Sequence, residues 1–354
     1  MISLLAWLPL LVLSAVKGEM LGGSARVPFL LDIEVHLRFL LATPLLVAAE
    51  LIVHQRLRSV VNQFLERELI PESAKAWFDE SIASALRLRD SVLAEVLLIA
   101  FVYGVGVLIV WGKYTVLDTT SWYTVPAVIG SKLSFAGFWY GYVSMPIFQF
   151  LLLRWYFRLL IWTRFLWHVS RIALNLVPTH PDGVGGLEFL SCAAVAFLPL
   201  AVAHGALLSG MIANRIFYLG AALPDFKIEI IVVVVFLQLL VFGPLLLLAA
   251  KLAEAKRTGL REYGVLAARY VREFDLKWIR GGASVDEELI GSADIQSLAD
   301  LGSIFEAVQA MRTVPVTRNA MLQVAAATLL PIAPLVLTMM PLEELLRTLI
   351  GMLF

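Results

Sequence analysis

Val177-Pro-Thr-His-Pro-Asp-Gly-Val-Gly-Gly-Leu-Glu-Phe-Leu190 is the stretch around which the chain reads most clearly. It carries two polar side chains, His180 and Asp182, and three glycines within four positions, Gly183, Gly185 and Gly186. A segment rich in arginine and tryptophan runs into it, and an apolar stretch of membrane length leaves it. Such a stretch reads as a shaped polar loop at a bilayer surface, between one helix that meets headgroups and another that enters hydrocarbon.

Composition points the same way. Hydrophobic residues make up 60% of the chain and charged residues 16%, with a mean hydropathy of +0.84. A soluble domain is nearer 45–50% apolar and roughly 25% charged. Lipid must therefore solvate much of the surface, and closed helices satisfy the backbone there. The sequence predicts an all-α polytopic integral membrane protein of six or seven transmembrane helices with a helical cytoplasmic layer. Lys+Arg and Asp+Glu balance at 28 each, so no electrostatic footprint for nucleic acid exists. The single cysteine, Cys192, excludes an internal disulfide, and no Cys/His zinc spacing is present. Neither a cofactor nor a metal is expected.

Along the chain, residues 2–16 are apolar but short, and read equally as a first span or a re-entrant segment. Spans follow at 37–53, 92–111, 135–153, 189–210, 228–250 and 320–340. Before the first of these, Asp32 and His36, and Glu34 and Arg38, are four apart and share helix faces; the stretch reads either as an N-cap with ion pairs or as a small polar site at the membrane edge. Trp122 and Tyr123 in the loop 112–134 suit an interfacial belt. Tyr103-Gly-Val-Gly106 allows close helix packing. Ser284-Val-Asp-Glu287 has capping-box spacing, and 341–354 reads as a short amphipathic tail. Prolines recur inside spans at Pro44, Pro199, Pro244 and Pro334, where each kinks a helix and frees a carbonyl.

The segments 54–92, 154–188 and 251–319 hold 6, 4 and 10 of the 28 Lys and Arg residues. They alternate correctly across the spans, so the positive-inside rule makes them the cytoplasmic layer. In the second segment, Arg154, Arg158, Arg164, His168 and Arg171 fall within an arc of about 140° at 100° per residue. That is the pattern of a helix against anionic lipid headgroups.

Candidate chemistry gathers in two further places. The loop from His180 to Gly186 precedes an apolar helix, and first-turn amides bind anions. With His168, Arg164 and Arg171 upstream, Asp182 and the glycines would hold a phosphate or headgroup. The plain alternative is a tight turn capped by His180 and Asp182. Ionisable groups inside spans are costly and often functional. Glu50, Glu95 and His204 are those groups here. Glu50 also lies four residues from His54, as an end-of-helix pair would. His204 lies deepest and reads either as part of a solute or proton path or as an interhelical hydrogen bond. No nucleophile motif is present, so no catalytic residue is assigned.

The blocks Pro28–Phe39, His180–Leu187, Gly291–Leu298 and Leu329–Val336 resemble a family of uncharacterised multi-pass inner-membrane proteins of bacteria. The resemblance implies a bacterial inner-membrane location and carries no activity. Kinked spans and His204 favour a transport or channel protein. A non-catalytic scaffold or sensor, binding a partner through the cytoplasmic helices, is the second reading; the partners expected are the anionic bilayer and either a homo-oligomer or a cytoplasmic protein. An enzyme acting on a phosphorylated or lipid substrate at the loop is the third. The orientation is testable. Cysteines at Ser73 and Ala283 should be shielded from an impermeant thiol reagent added outside sealed cells, and one at Thr120 should react. Labelling of the first two would overturn it.

Overall fold

A computed structural model describes residues 1–22, 27–111, 121–126, 131–282 and 292–339. Ser284–Glu287, Gly291 of its block, the tail 341–354, and positions Ala283 and Thr120 lie outside the described residues. The fold is all-α, about 81% helical. Its helices are α1 (Ile2–Lys17), α2 (Ile33–Glu66), α3 (Lys75–Arg89), α4 (Val92–Phe101, continued by a wider π-type run over Val102–Trp111), α5 (Phe135–Val169), α6 (Phe189–Leu219), α7 (Leu223–Ile279), α8 (Ala293–Ala310) and α9 (Arg318–Leu329). Among the described residues four, α2, α5, α6 and α7, are long and apolar enough to cross a membrane. The count reaches six if the bent pairs, α3 with α4 and α9 with the 3-10 turn Ala333–Met339, are each one span. α1 has 16 residues and packs Ala6, Leu10 and Ser14 inward.

Local chemistry fixes where spans begin. Asp32, Ser91, Ser134 and Thr317 each accept a first-turn backbone N–H, from Val35, Ala94, Gly137 and Ala320 respectively. Each satisfies a donor that a helix start leaves unpaired. The capping role read for Asp32 and the Glu34–Arg38 ion pair are both present.

Prolines leave a regular trace. Leu37–Ala42, before Pro44, and Tyr140–Ser144, before Pro146, are π-type turns. Val195–Phe197, before Pro199, and Gly243–Leu248, around Pro244, are 3-10 turns. A proline ring displaces the carbonyl four residues back, so the preceding turn must widen or tighten. Pro331 lies at the 56° break after α9.

Small residues set the packing. A Cβ at Gly205 would collide with the Thr328 carbonyl, which brings α6 against α9. At Gly210 it would lie 2.8 Å from Glu34 Cα, which brings α6 against α2. Of the two glycines read for close packing in α4, Gly106 abuts Gln149, whereas Gly104 faces open space. Trp155 donates to the Leu46 carbonyl at 2.8 Å and ties α5 to α2.

One reading needs correction. Trp122 is not in an interfacial belt: it is 0% exposed and donates to Asp32 Oδ2 at 2.9 Å. Its neighbourhood is a small antiparallel hairpin, β1 (Thr124–Pro126) and β2 (Ser131–Leu133), inside an otherwise helical chain. The helices run on past their apolar stretches, as the amphipathic stripes of the sequence imply. α2 continues to Glu66 and α7 to Ile279, because amphipathic stripes carry each helix on after its apolar stretch ends.

The three basic segments meet at one end of the bundle. Asn175 N donates to the Leu69 carbonyl at 2.9 Å, Arg67 reaches Gly186, Leu252 lies against Gly185, and Arg312 bonds the loop.

Candidate functional site

The glycine-rich loop is built around an anion of its own. Asp182 Oδ1 accepts from Val184 N at 2.8 Å and Gly186 N at 3.1 Å, and Oδ2 accepts from Glu188 N at 3.1 Å. Gly183, Gly185 and Gly186 take φ of +65°, +64° and +97°, values that L side chains rarely adopt, and alternate amides of the loop turn inward. Gly183 has open space around its Cα, so φ alone demands glycine there. At Gly185 a Cβ would also sit 3.2 Å from Met311 Cε, and at Gly186, 3.3 Å from Leu69 Cδ2. His180 Nδ1 lies 2.9 Å from Asp182 Oδ1 and 3.3 Å from Asp182 N. Nδ1 accepts from Asp182 N in the tautomer that leaves it bare and donates to Oδ1 in the one that puts a proton on it.

This corrects the anion-nest reading. The amides that would hold a phosphate hold the Asp182 carboxylate instead, so neither they nor Asp182 is free for a ligand. Nor do the upstream cations reach the loop. Arg164 points to Ser84 Oγ at 3.4 Å, Arg171 stacks on Trp167 at 4.9 Å, and His168 packs beside Trp77 and Trp167. Cations that sequence did not assign surround the loop instead. Arg312 N donates to the Gly183 carbonyl at 2.8 Å, while its Nη2 reaches the Asp182 carbonyl at 3.2 Å and its Nη1 the Val316 carbonyl at 3.1 Å. Arg67 donates to the Gly186 carbonyl at 3.1 Å and stacks 5.1 Å over Phe189.

The intramembrane candidates are paired between helices. His204 Nε2 lies 2.7 Å from the Tyr156 hydroxyl, and its Nδ1 lies 2.8 Å from the Leu200 carbonyl. The carbonyl can only accept, so Nδ1 carries the proton and Nε2 accepts from Tyr156. Glu50 does not pair with His54. It bonds Arg158 and lies 3.7 Å from Arg154, which in turn lies 3.5 Å from Glu95. This network joins α2, α4 and α5. Among the described residues no cluster of three or more His, Cys, Asp or Glu is arranged to hold a metal.

A second polar network lies at the opposite end of the bundle, on the Asp32–Arg38 face that the sequence offered as a small polar site. Asp32 Oδ1 accepts from Asn214 Nδ2 at 2.8 Å, and Asn214 Oδ1 accepts from Ile33 N at 3.1 Å. His36 Nδ1 accepts from Trp7 Nε1 at 2.9 Å, and its Nε2 donates to the Leu30 carbonyl at 3.1 Å. Arg38 bonds both Glu34 and Tyr140. The Asp-x-x-x-His and Glu-x-x-x-Arg spacings signalled the polar face; its partners Trp7, Trp122 and Asn214 lie far away in sequence. No family model, curated protein or solved structure matches the chain.

Burial pushes the Asp182 carboxyl up, but bonds from Val184, Gly186 and Glu188 and the neighbouring His180 outweigh it, so its pKa is held below the ordinary value. A depressed carboxylate stabilises the fold above its unfolded pKa of about 3.9, and that contribution is lost as pH falls through the lower folded value. Asp182→Asn should destabilise the chain by about 1–3 kcal/mol at neutral pH and flatten its loss of stability in acid. His180→Ala should cost only about 0.5–1.5 kcal/mol. Thermal unfolding followed from pH 7 to pH 3 reads both. Equal effects of the two substitutions at neutral pH would contradict the Asp182-centred account.

Proposed function

We propose that the chain is a non-catalytic scaffold or sensor of a bacterial inner membrane, with six spans and the basic segments on the cytoplasmic side. One observation carries this reading: the outer half of α7 and the whole of α8 stand away from the bundle as a two-helix arm. Beyond Gly259, no residue of α7 is buried, and in α8 only Val308 is. A cluster on Asp294 holds the tip closed. Lys277 Nζ bonds Asp294 at 2.8 Å, Trp278 Nε1 donates to Asp294 at 2.9 Å, and Tyr270 donates to its carbonyl at 3.1 Å.

The arm leaves large apolar side chains in solvent. Val265, Leu266, Val271, Leu276 and Ile279 on α7, and Ile295 and Ile304 on α8, are between 39% and 71% exposed. Two helices cannot cover each other on all sides, and exposed apolar patches rimmed by charge mark interaction surfaces. Charge selects the partner. Residues 260–280 carry five cations and three acids, a net +2, while α8 carries three acids and no cation. The arm of a second copy, turned by a two-fold axis, sets the basic helix of each against the acidic helix of the other. A four-helix bundle of two arms is therefore the assembly proposed.

The transport reading rests on His204 and on the kinked spans, and the enzyme reading on the loop. His204 has both ring nitrogens engaged, the turns beside the prolines absorb the kinks, and Asp182 fills the loop. These features give more support to the scaffold.

The assembly is testable by cross-linking. In a Cys192→Ser background, Leu266→Cys should form a disulfide dimer under mild oxidation in membranes. Leu266→Glu with Ile279→Glu should convert the purified protein from dimer to monomer by light scattering without lowering its yield. A monomeric parent that forms no cross-link at Leu266 or Ile304 would overturn the reading.

A further inference from the structure

A groove of about 840 Å³ opens between α2, α3 and α5. It lies where the polar helix α3 ends at Arg89 and the apolar α4 begins at Val92, the boundary at which headgroups would sit. Its mouth is charged: Arg58, Arg89, Arg154 and Arg158 line it with Glu50 and Asp90. Its inner wall is apolar, formed by Leu57, Val61, Ile82, Leu86 and Trp162. The groove thus has the division of a lipid, with a polar end and a greasy end.

Its charges do not cancel. Four arginines face two carboxylates, an excess of two positive charges. Glu95, 3.5 Å from Arg154, offsets one of them. Arg158 is held by Glu50, and Arg89 by Asp90 at 2.8 Å and 3.0 Å. Arg58 makes no ion pair among the described residues and is exposed at the rim. One uncompensated positive charge remains, beside forked donors suited to phosphate oxygens. The volume falls in the roughly 300–1,000 Å³ range of sites that enclose one small ligand. It suits a headgroup and one acyl chain better than a whole two-chain lipid.

We propose that this groove is a specific site for an anionic phospholipid. The phosphodiester lies on Arg58 and Arg89, and one acyl chain is drawn out of the bilayer along Leu57, Leu86 and Trp162. A phosphodiester brings the single negative charge that the mouth lacks. A zwitterionic phosphatidylcholine adds a cation to an already positive mouth and is disfavoured. The proposal does not depend on the arm, which lies on other helices.

The test uses the full chain, purified in neutral detergent and titrated with phosphatidylglycerol, phosphatidylcholine or glycerol phosphate, with bound lipid read by native mass spectrometry. Phosphatidylglycerol should be retained with at least about fivefold preference over phosphatidylcholine, and Arg58→Gln should reduce its retention about fivefold, the scale of one arginine at an anionic surface. Ala85→Trp, which fills the groove without changing charge, should abolish retention. Arg261→Gln, on α7 away from the groove, should leave it unchanged. Equal retention of the two lipids, no effect of Arg58→Gln, or an equal loss in Arg261→Gln would overturn the site. Competition by glycerol phosphate as strong as by the lipid would assign it to free phosphate instead and sink the acyl-chain claim. If Ala85→Trp does not fold, Arg58→Gln still decides, since Arg58 has no ion pair to break.

Discussion

One carboxylate organises the polar end of this protein. Asp182 lies in a loop that three distant segments must contact at once, and the loop keeps its shape because three amides converge on two oxygens. A buried carboxylate left unpaired would cost several kcal/mol, so the loop must close around it. Once closed, the loop turns its carbonyls outward. Arg312 takes those of Gly183 and Asp182, and Arg67 takes that of Gly186. The segment after α8, the end of α2 and the start of α6 are thereby tied through a few residues. The glycines belong to this arrangement: they let amides point inward, and they let Met311 and Leu69 approach.

Within the bundle, the organising constraint is the backbone. In hydrocarbon a freed carbonyl has no water to turn to. At Pro44, Pro146 and Pro199 the chain meets this by changing the pitch of the preceding turn, and Pro244 sits within a 3-10 run. Polar side chains are treated alike. His204 is satisfied by Tyr156 and Leu200, and Glu50 by arginines of α5. The spans are thus held together by glycine contacts and paired polar groups, as expected where lipid competes for apolar surface.

Much of this is legible in the sequence, for physical reasons. Apolar runs, the cap at Asp32, and the count of basic residues by loop report local or additive properties. The shared end of segments 54–92, 154–188 and 251–319 follows from them. What the sequence hides is pairing between distant residues. Nothing near Trp122 says that Asp32 waits 90 positions away, and nothing near Glu50 distinguishes His54 from Arg158. The loop shows the limit most sharply. Its glycines announce a nest of amides, yet whether the anion comes from outside or from Asp182 depends on one side-chain torsion.

The central claim is that the loop is closed by its own carboxylate, and amide hydrogen exchange at Val184, Gly186 and Glu188 addresses it most directly. At neutral pH, in buffer free of phosphate, these three amides should be protected to a similar degree, and protection should drop at all three together in Asp182→Asn. Free-chain exchange rates in the native protein, with protection appearing only when inorganic phosphate is added, would contradict the account and restore the loop as a ligand site.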